Sequence, residues 1–249
     1  MLSISPSLVT RALEESGVRL RPNKTPWIQT ALVYSRPRRP RIELLQEGPV
    51  IIHEIVIDGE LSYLLGWMLG DGHFGARQAV AVMAARERTI IEPRIRPVLE
   101  RFGSVNPVWR NNALLLRTSS RIVPRILCRH DGSRIWRNID KVLESPRFAA
   151  MLIAGLWDAD GGVYVDKSGA VRVHLYNSNL ELLRRVAEAL ERHYGIATAI
   201  YRRRKSDSSK IVQNSDRYDL YVLAKGRDSW FENIGRKMML PWKRIPKES

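Results

Sequence analysis

The 249-residue chain holds one cysteine, Cys128, so it can form neither an internal disulfide nor a cysteine-based zinc cluster. Long apolar runs are missing too. The longest, Ala149 to Trp157, falls far short of the ~20 residues that span a bilayer. No basic-then-apolar signal pattern opens the chain. These absences set the expectation of an intracellular, cytoplasmic prokaryotic protein, neither secreted nor membrane-bound. Acidic residues are scarce relative to basic ones: 26 Asp and Glu face 41 Lys and Arg, for a formal net charge of +15. Such an excess points to a polyanion, nucleic acid first. Arginine outnumbers lysine, which suits bidentate contacts to phosphate and guanine. The hydrophobic content of 44% and the length allow a substantial core, in one larger domain or two small ones.

Against this background the chain says nearly the same thing twice. Leu64-Leu65-Gly66-Trp67-Met68-Leu69-Gly70-Asp71-Gly72 and Ile153-Ala154-Gly155-Leu156-Trp157-Asp158-Ala159-Asp160-Gly161 lie 89 positions apart. Each is an apolar helical stretch with small residues one turn apart, Gly66 with Gly70 and Gly155 with Ala159, ending in Asp-Gly. Small residues so spaced let two helix backbones approach closely. If the two helices pack together, Asp71 and Asp160 emerge side by side at the negative ends of both dipoles. Two carboxylates in that position call for a cation, and the pair reads as a divalent-metal site. An ordinary reading stands beside it, since Asp-Gly is a common turn signal and Gly-x-x-x-Gly is often only close packing. Asp158-Ala159-Asp160-Gly161 hints at a calcium loop, but Gly162 and Val163 occupy the positions where an EF-hand needs Asp or Asn and then Gly.

The two segments resemble the paired signature helices of LAGLIDADG homing endonucleases, in the single-chain form that carries both halves. The second copy matches closely. The first departs from the pattern, with Leu69 in place of its first Asp and Gly70 in place of its Ala. The resemblance covers roughly Asp58 to the C-terminus. It implies an α/β (α+β) fold of two pseudo-symmetric halves, a central helix pair and a concave antiparallel β-saddle over duplex DNA. It further implies Mg²⁺ or Mn²⁺ held by Asp71 and Asp160 with the backbone carbonyls of Gly70 and Ala159. A basic residue that polarises the water network falls near Arg86 in the first half and near Asn177-Ser178 in the second, where there is no cation unless Lys167 or Arg172 reaches in. The implied activity is site-specific double-strand hydrolysis by a monomer with no obligate protein partner. The chain begins Met1-Leu2 and ends without His-Asn, favouring a free-standing, intron-encoded homing enzyme over an intein. The alternatives are a non-cleaving protein on the same scaffold, either an RNA maturase or a transcription regulator, and a basic structural protein whose Asp-Gly pairs are ordinary turns.

Each half reads helix-strand-strand-helix-strand-strand-helix. The expected divisions are a basic, proline-rich extension over 1–57, a first half over 58–145 and a second over 146–249. In the first half the hairpins run His73 to Ala85 and Val105 to Ser119, with a closing helix near Ser120 to Cys128. In the second they run Gly162 to Tyr176 and Thr198 to Ala224, with a closing helix near Arg227 to Lys237. Gly103 and Gly195 are C-cap candidates, and Ser145-Pro146 is an N-cap and first-turn pair. Pro93 and Pro97 conflict with the middle helix, which must start late, kink or break. In the extension, Pro6 to Gly17 reads as a short amphipathic helix. Arg19 to Arg41 reads either as a solvated linker or as a basic arm along a phosphate backbone.

The candidate DNA contacts follow from strand alternation. Arg172, His174 and Tyr176 alternate with Val171, Val173 and Leu175, and Arg217, Asp219 and Tyr221 alternate with Tyr218, Leu220 and Val222. Arg202 and Arg204 belong to a basic run with cations on both faces. Lys167 and Arg77 lie at turns, and Arg110 and Arg117 are the cations of the first half's second hairpin. β-Ribbons can read a major groove in this way.

Overall fold

The computed structural model describes residues 27–35, 41–45, 48–75, 78–119, 122–127, 132–203 and 217–244. Its centre is a pair of helices, α1 (Gly59–Asp71) and α5 (Pro146–Asp160). Residues 61–68 of α1 and 152–159 of α5 are buried without interruption, so both helices are apolar on every side and must be enclosed. Asp58 caps α1, its Oδ1 accepting from the Leu61 amide at 2.7 Å. Pro146 opens α5 as its first residue, but the hydroxyl of Ser145 makes no capping bond.

Glycine makes the central packing possible. A Cβ on Gly66 would lie 1.9 Å from the carbonyl oxygen of Leu152, and one on Gly155 would lie 2.2 Å from that of Tyr63. The helix backbones touch at these two points, and no side chain fits between them.

Each helix runs directly into a four-stranded antiparallel sheet. In the first half β4 (Gly72–Gly75), β5 (Gln78–Ala84), β6 (Val105–Arg110) and β7 (Ala113–Thr118) pair in the order β4-β5-β7-β6. In the second β8 (Gly161–Val165), β9 (Val171–Asn177), β10 (Thr198–Arg203) and β11 (Arg217–Val222) pair in the order β10-β11-β9-β8. Equating β4 with β8 and continuing in sequence makes the two topologies identical. The helices correspond as well: α2 (Arg88–Glu100) with α6 (Leu180–Tyr194), and α3 (Ile122–Leu127) with α7 (Arg227–Asn233).

Three features depart from the sequence reading. Helix α2 runs unbroken through both prolines. Pro93 and Pro97 are one turn apart and both exposed, so the carbonyls they leave unpaired face water. Gly195 is the left-handed cap of α6 (φ 62°), whereas Arg101 caps α2 and Gly103 lies two residues beyond it. Before α1 stands a sheet that the basic composition does not announce. β1 (Trp27–Val33) pairs in parallel with β3 (Gly48–Val56), which pairs antiparallel with β2 (Arg41–Leu45). An unexpected helix, α4 (Gly132–Leu143), anchors it. The Asn138 side chain accepts from the Leu32 amide at 3.2 Å and donates to the Ile126 carbonyl at 3.3 Å. The expected helix over Pro6 to Gly17 lies outside the described residues, as does most of the basic arm. No helix among the described residues is long and apolar enough to cross a membrane.

Candidate active site

Asp71 and Asp160 end α1 and α5 just over one turn beyond the backbone contacts at Gly66 and Gly155. A Cβ on Gly70 would lie 2.5 Å from the Ala159 Cβ and 3.1 Å from the carboxyl carbon of Asp160. Burial first, then the neighbouring Asp160 charge, raise the Asp71 carboxyl from 3.8 to about 7, against a smaller opposing pull from Lys243. Burial also raises Asp160, opposed first by its bond from Asn177 and then by the charges of Lys243 and Arg217. The Asn177 amide donates to Asp160 Oδ2 at 3.0 Å, from the end of β9.

A short C-terminal helix, α8 (Pro241–Arg244), completes the surroundings. Asp158 fixes the chain that leads into it. This buried carboxylate accepts from the Met239 amide at 2.6 Å, the Leu240 amide at 3.2 Å and the Tyr63 hydroxyl at 2.7 Å. The ammonium of Lys243 then donates to the carbonyls of Asp158 and Ala159, the latter at 2.6 Å. Both are last-turn carbonyls of α5, where intrahelical donors run out. On the other side, the Arg86 guanidinium lies 5.9 Å from the centre of the Trp242 ring. The segment therefore bridges the two halves across the helix ends. A cavity of about 230 Å³ opens there, lined by Arg86, Gly162, Tyr164, His174, Trp242 and Lys243.

The donors fit a hard divalent ion. Carboxylate and carbonyl oxygens are what Mg²⁺ and Mn²⁺ take, and Mg²⁺ makes do with one or two protein carboxylates plus water and phosphate oxygens. No group of three or more His, Cys, Asp or Glu gathers among the described residues, so a cage supplied wholly by such side chains is not built here. Burial raises both carboxyls, so a cation bound beside them would relieve the cost of their charged forms.

Residues 147–235, from α5 to the region after α7, match the family model described as LAGLIDADG-like domain. The second half is thus similar to a LAGLIDADG-like domain. A structure of mesophilic variants of the homing endonuclease I-DmoI shares the fold, at 18% identity and a TM-score of 0.51 over 71% of this chain and 94% of that one. A structure of I-DmoI with DNA and Mn aligns at 20% identity and a TM-score of 0.49, over 71% and 96%. Full-length DUF199/WhiA from Thermatoga maritima aligns at 13% and 0.46, over 71% and 55%.

Beside its Asp pair the LAGLIDADG-like half presents one open sheet face. The strand register puts Tyr164, Arg172, His174, Tyr176, Tyr221, Arg217 and Arg203 on it together. Arg202 is paired with Tyr218 and faces the other way, so of that basic run it is Arg203 that joins Tyr221. Arg203 lies over the Tyr176 ring at 5.2 Å. His174 is only 7% exposed, and burial, together with the charges of Arg203 and Lys243, lowers its pKa to about 4, leaving it neutral at pH 7. Arg172 is held at 2.6 Å by Asp166 and does not reach the carboxylate pair. Lys167 sits exposed in the same turn. In the first half, Arg110 and Arg117 share the open face with Val80, Val82, Val108 and Leu115. Arg77 and Arg204 lie outside the described residues.

The sequence reading did not single out Lys243, Arg203 or the anchoring role of Asp158, and it named Asn177 only as a position without a cation. Only the role of Asp158 left a trace: Asp158 occurs in one signature copy, and Leu69 replaces it in the other.

Proposed function

We propose that the chain is a site-specific, metal-dependent endonuclease for double-stranded DNA, a homing enzyme of the intron-encoded kind. The juxtaposition of Asp71 and Asp160 at touching helix ends carries this reading, because one carboxylate from each half suits the cutting of two strands. Asp71, Asp160 and the Gly70 and Ala159 carbonyls would hold Mg²⁺ or Mn²⁺. The metal would supply an activated water and charge stabilisation at the leaving 3′ oxygen. Asn177 orients the Asp160 carboxylate. Arg86, exposed at the rim beside Trp242, faces developing phosphate charge as a permanent cation but a poor proton shuttle. Arg172, His174, Arg203, Arg217 and Tyr221, with Arg110 and Arg117, form the surface over the duplex, and neutral His174 contributes hydrogen bonds rather than charge.

The test is incubation with a random duplex library and Mg²⁺, with the ends sequenced. Discrete paired ends are expected from the wild type. Asp160→Asn and Asp71→Asn should give none while binding DNA at least as tightly, since each removes negative charge facing phosphate. Wild-type cutting rates in either variant would remove the acids from the mechanism. One observation favours a non-cleaving alternative, an RNA maturase or a transcription regulator: among the described residues, no strand-borne cation makes a hydrogen bond or ion pair with Asp160, on which Arg217 acts only through its charge. Tight nucleic-acid binding with no ends under any divalent ion would select it.

A further inference from the structure

Of the cations acting on Asp160, Lys243 acts more strongly than Arg217, and it comes from the C-terminal segment rather than from a strand. Its ammonium donates to the Ala159 carbonyl, one of the oxygens assigned to metal, and to the neighbouring Asp158 carbonyl. The segment is not free to drift, because the Asp158 carboxylate holds the Met239 and Leu240 amides, four and three residues before Lys243. Trp242 meets Arg86 across the seam. An ammonium fixed at the C-terminal end of a helix, beside two carboxylates, meets the same electrostatic demand as a divalent ion there.

We propose that Lys243 is a resident counter-ion of the seam: it holds the Ala159 carbonyl in the metal-free protein and must yield that oxygen for a divalent ion to bind. This rests on reading the seam as the divalent-ion site. Metal entry is then an exchange of one cation for another, and Lys243 sets the metal affinity of the second half as a positioning residue.

The exchange is read without DNA or turnover, by titrating the full-length protein with Mn²⁺ and following free Mn²⁺ by electron paramagnetic resonance. Lys243→Met should bind Mn²⁺ about tenfold more tightly than wild type, because a competing unit charge a few ångströms away is gone. Lys243→Arg, which keeps the charge, should stay within about twofold of wild type, in line with that charge argument. A lysine that merely caps α5 would lower the thermal midpoint of Lys243→Met and leave its Mn²⁺ affinity unchanged, and that result overturns the proposal. So does tighter binding in both variants, which would show that shape and not charge governs the site. Absence of Mn²⁺ binding in wild type and Lys243→Met alike also overturns it. Asp160→Asn separates the two readings. If it loses Mn²⁺ while Lys243→Met equals wild type, the seam binds metal and only the exchange fails. If it binds Mn²⁺ undiminished, the seam site itself fails.

Discussion

At the scale of single residues, the carboxylates decide how the protein responds to pH. Asp71 titrates at about 7 when folded, against 3.8 ordinarily, chiefly because it is buried. Between those values the folded protein holds a proton that the unfolded chain has released, so this group's contribution to stability falls as pH rises through the window and is constant outside it. Asp158, raised by burial to about 6, and Asp160, raised likewise, act in the same direction. In the presence of a chelator, Asp71→Asn should gain on wild type progressively from about pH 4 to pH 7, by something on the order of 2–4 kcal/mol in urea unfolding. A stability difference that does not change with pH would mean that Asp71 is not strained by its site. Added Mg²⁺ should stabilise the wild type at pH 8 and do little at pH 5, where the proton competes for the carboxylate.

At the scale of elements, the seam was the most legible part of the chain. Gly66 and Gly155 sit at the positions where helical geometry demands that backbones meet, and the contact distances there leave no room for a methyl group. Gly66→Ala or Gly155→Ala should therefore cost about 3 kcal/mol or more, and Leu at either position should prevent folding. Gly162→Ala, whose Cβ would meet only His174 at an ordinary 3.5 Å, should unfold nearly as wild type does. Equal thermal midpoints for all three alanine variants would contradict the packing. The strands of the second half were legible for a similar reason, because alternation such as Arg172-Val173-His174-Leu175 has only one structural meaning, whereas Val80 to Ala84 in the first half offers no polar face. What was not legible depends on distant partners. The strand Gly48–Val56 is apolar enough to be a strand, but its neighbour lies in a proline-rich basic stretch that reads as linker. Helix α4 and the α8 segment are too short or too polar to stand out until Asn138 and Asp158 are seen holding them. Pro93 and Pro97 misled because propensity weighs a lost hydrogen bond without knowing that the bereft carbonyls face solvent.

At the scale of the whole molecule, the net charge of +15 should make duplex binding fall steeply with salt, by about 0.9 in log–log slope for each phosphate neutralised. Specific reading is separable from that background. Arg172→Ala should lose about 1–3 kcal/mol on a cognate site and much less on random duplex. Asp166→Ala, by freeing the arginine from its ion pair, should tighten binding to both. Equal losses on cognate and random DNA for Arg172→Ala would reduce that strand to a phosphate rail. The anchoring of the C-terminal segment also bears on how the molecule is made. The bonds from Asp158 to Met239 and Leu240 span 81 and 82 positions, and the Arg86–Trp242 contact spans more. Loops of that length close slowly and return no energy until they are closed. A refolding chain thus completes its helices and both sheets while the ends of α1 and α5 still lack a counter-charge. The site's chemistry therefore waits on long-range closures, the seam bond of Tyr63 to Asp158 across 95 positions and the C-terminal segment's own, and Trp242 fluorescence should report the latter no earlier than the sheets form.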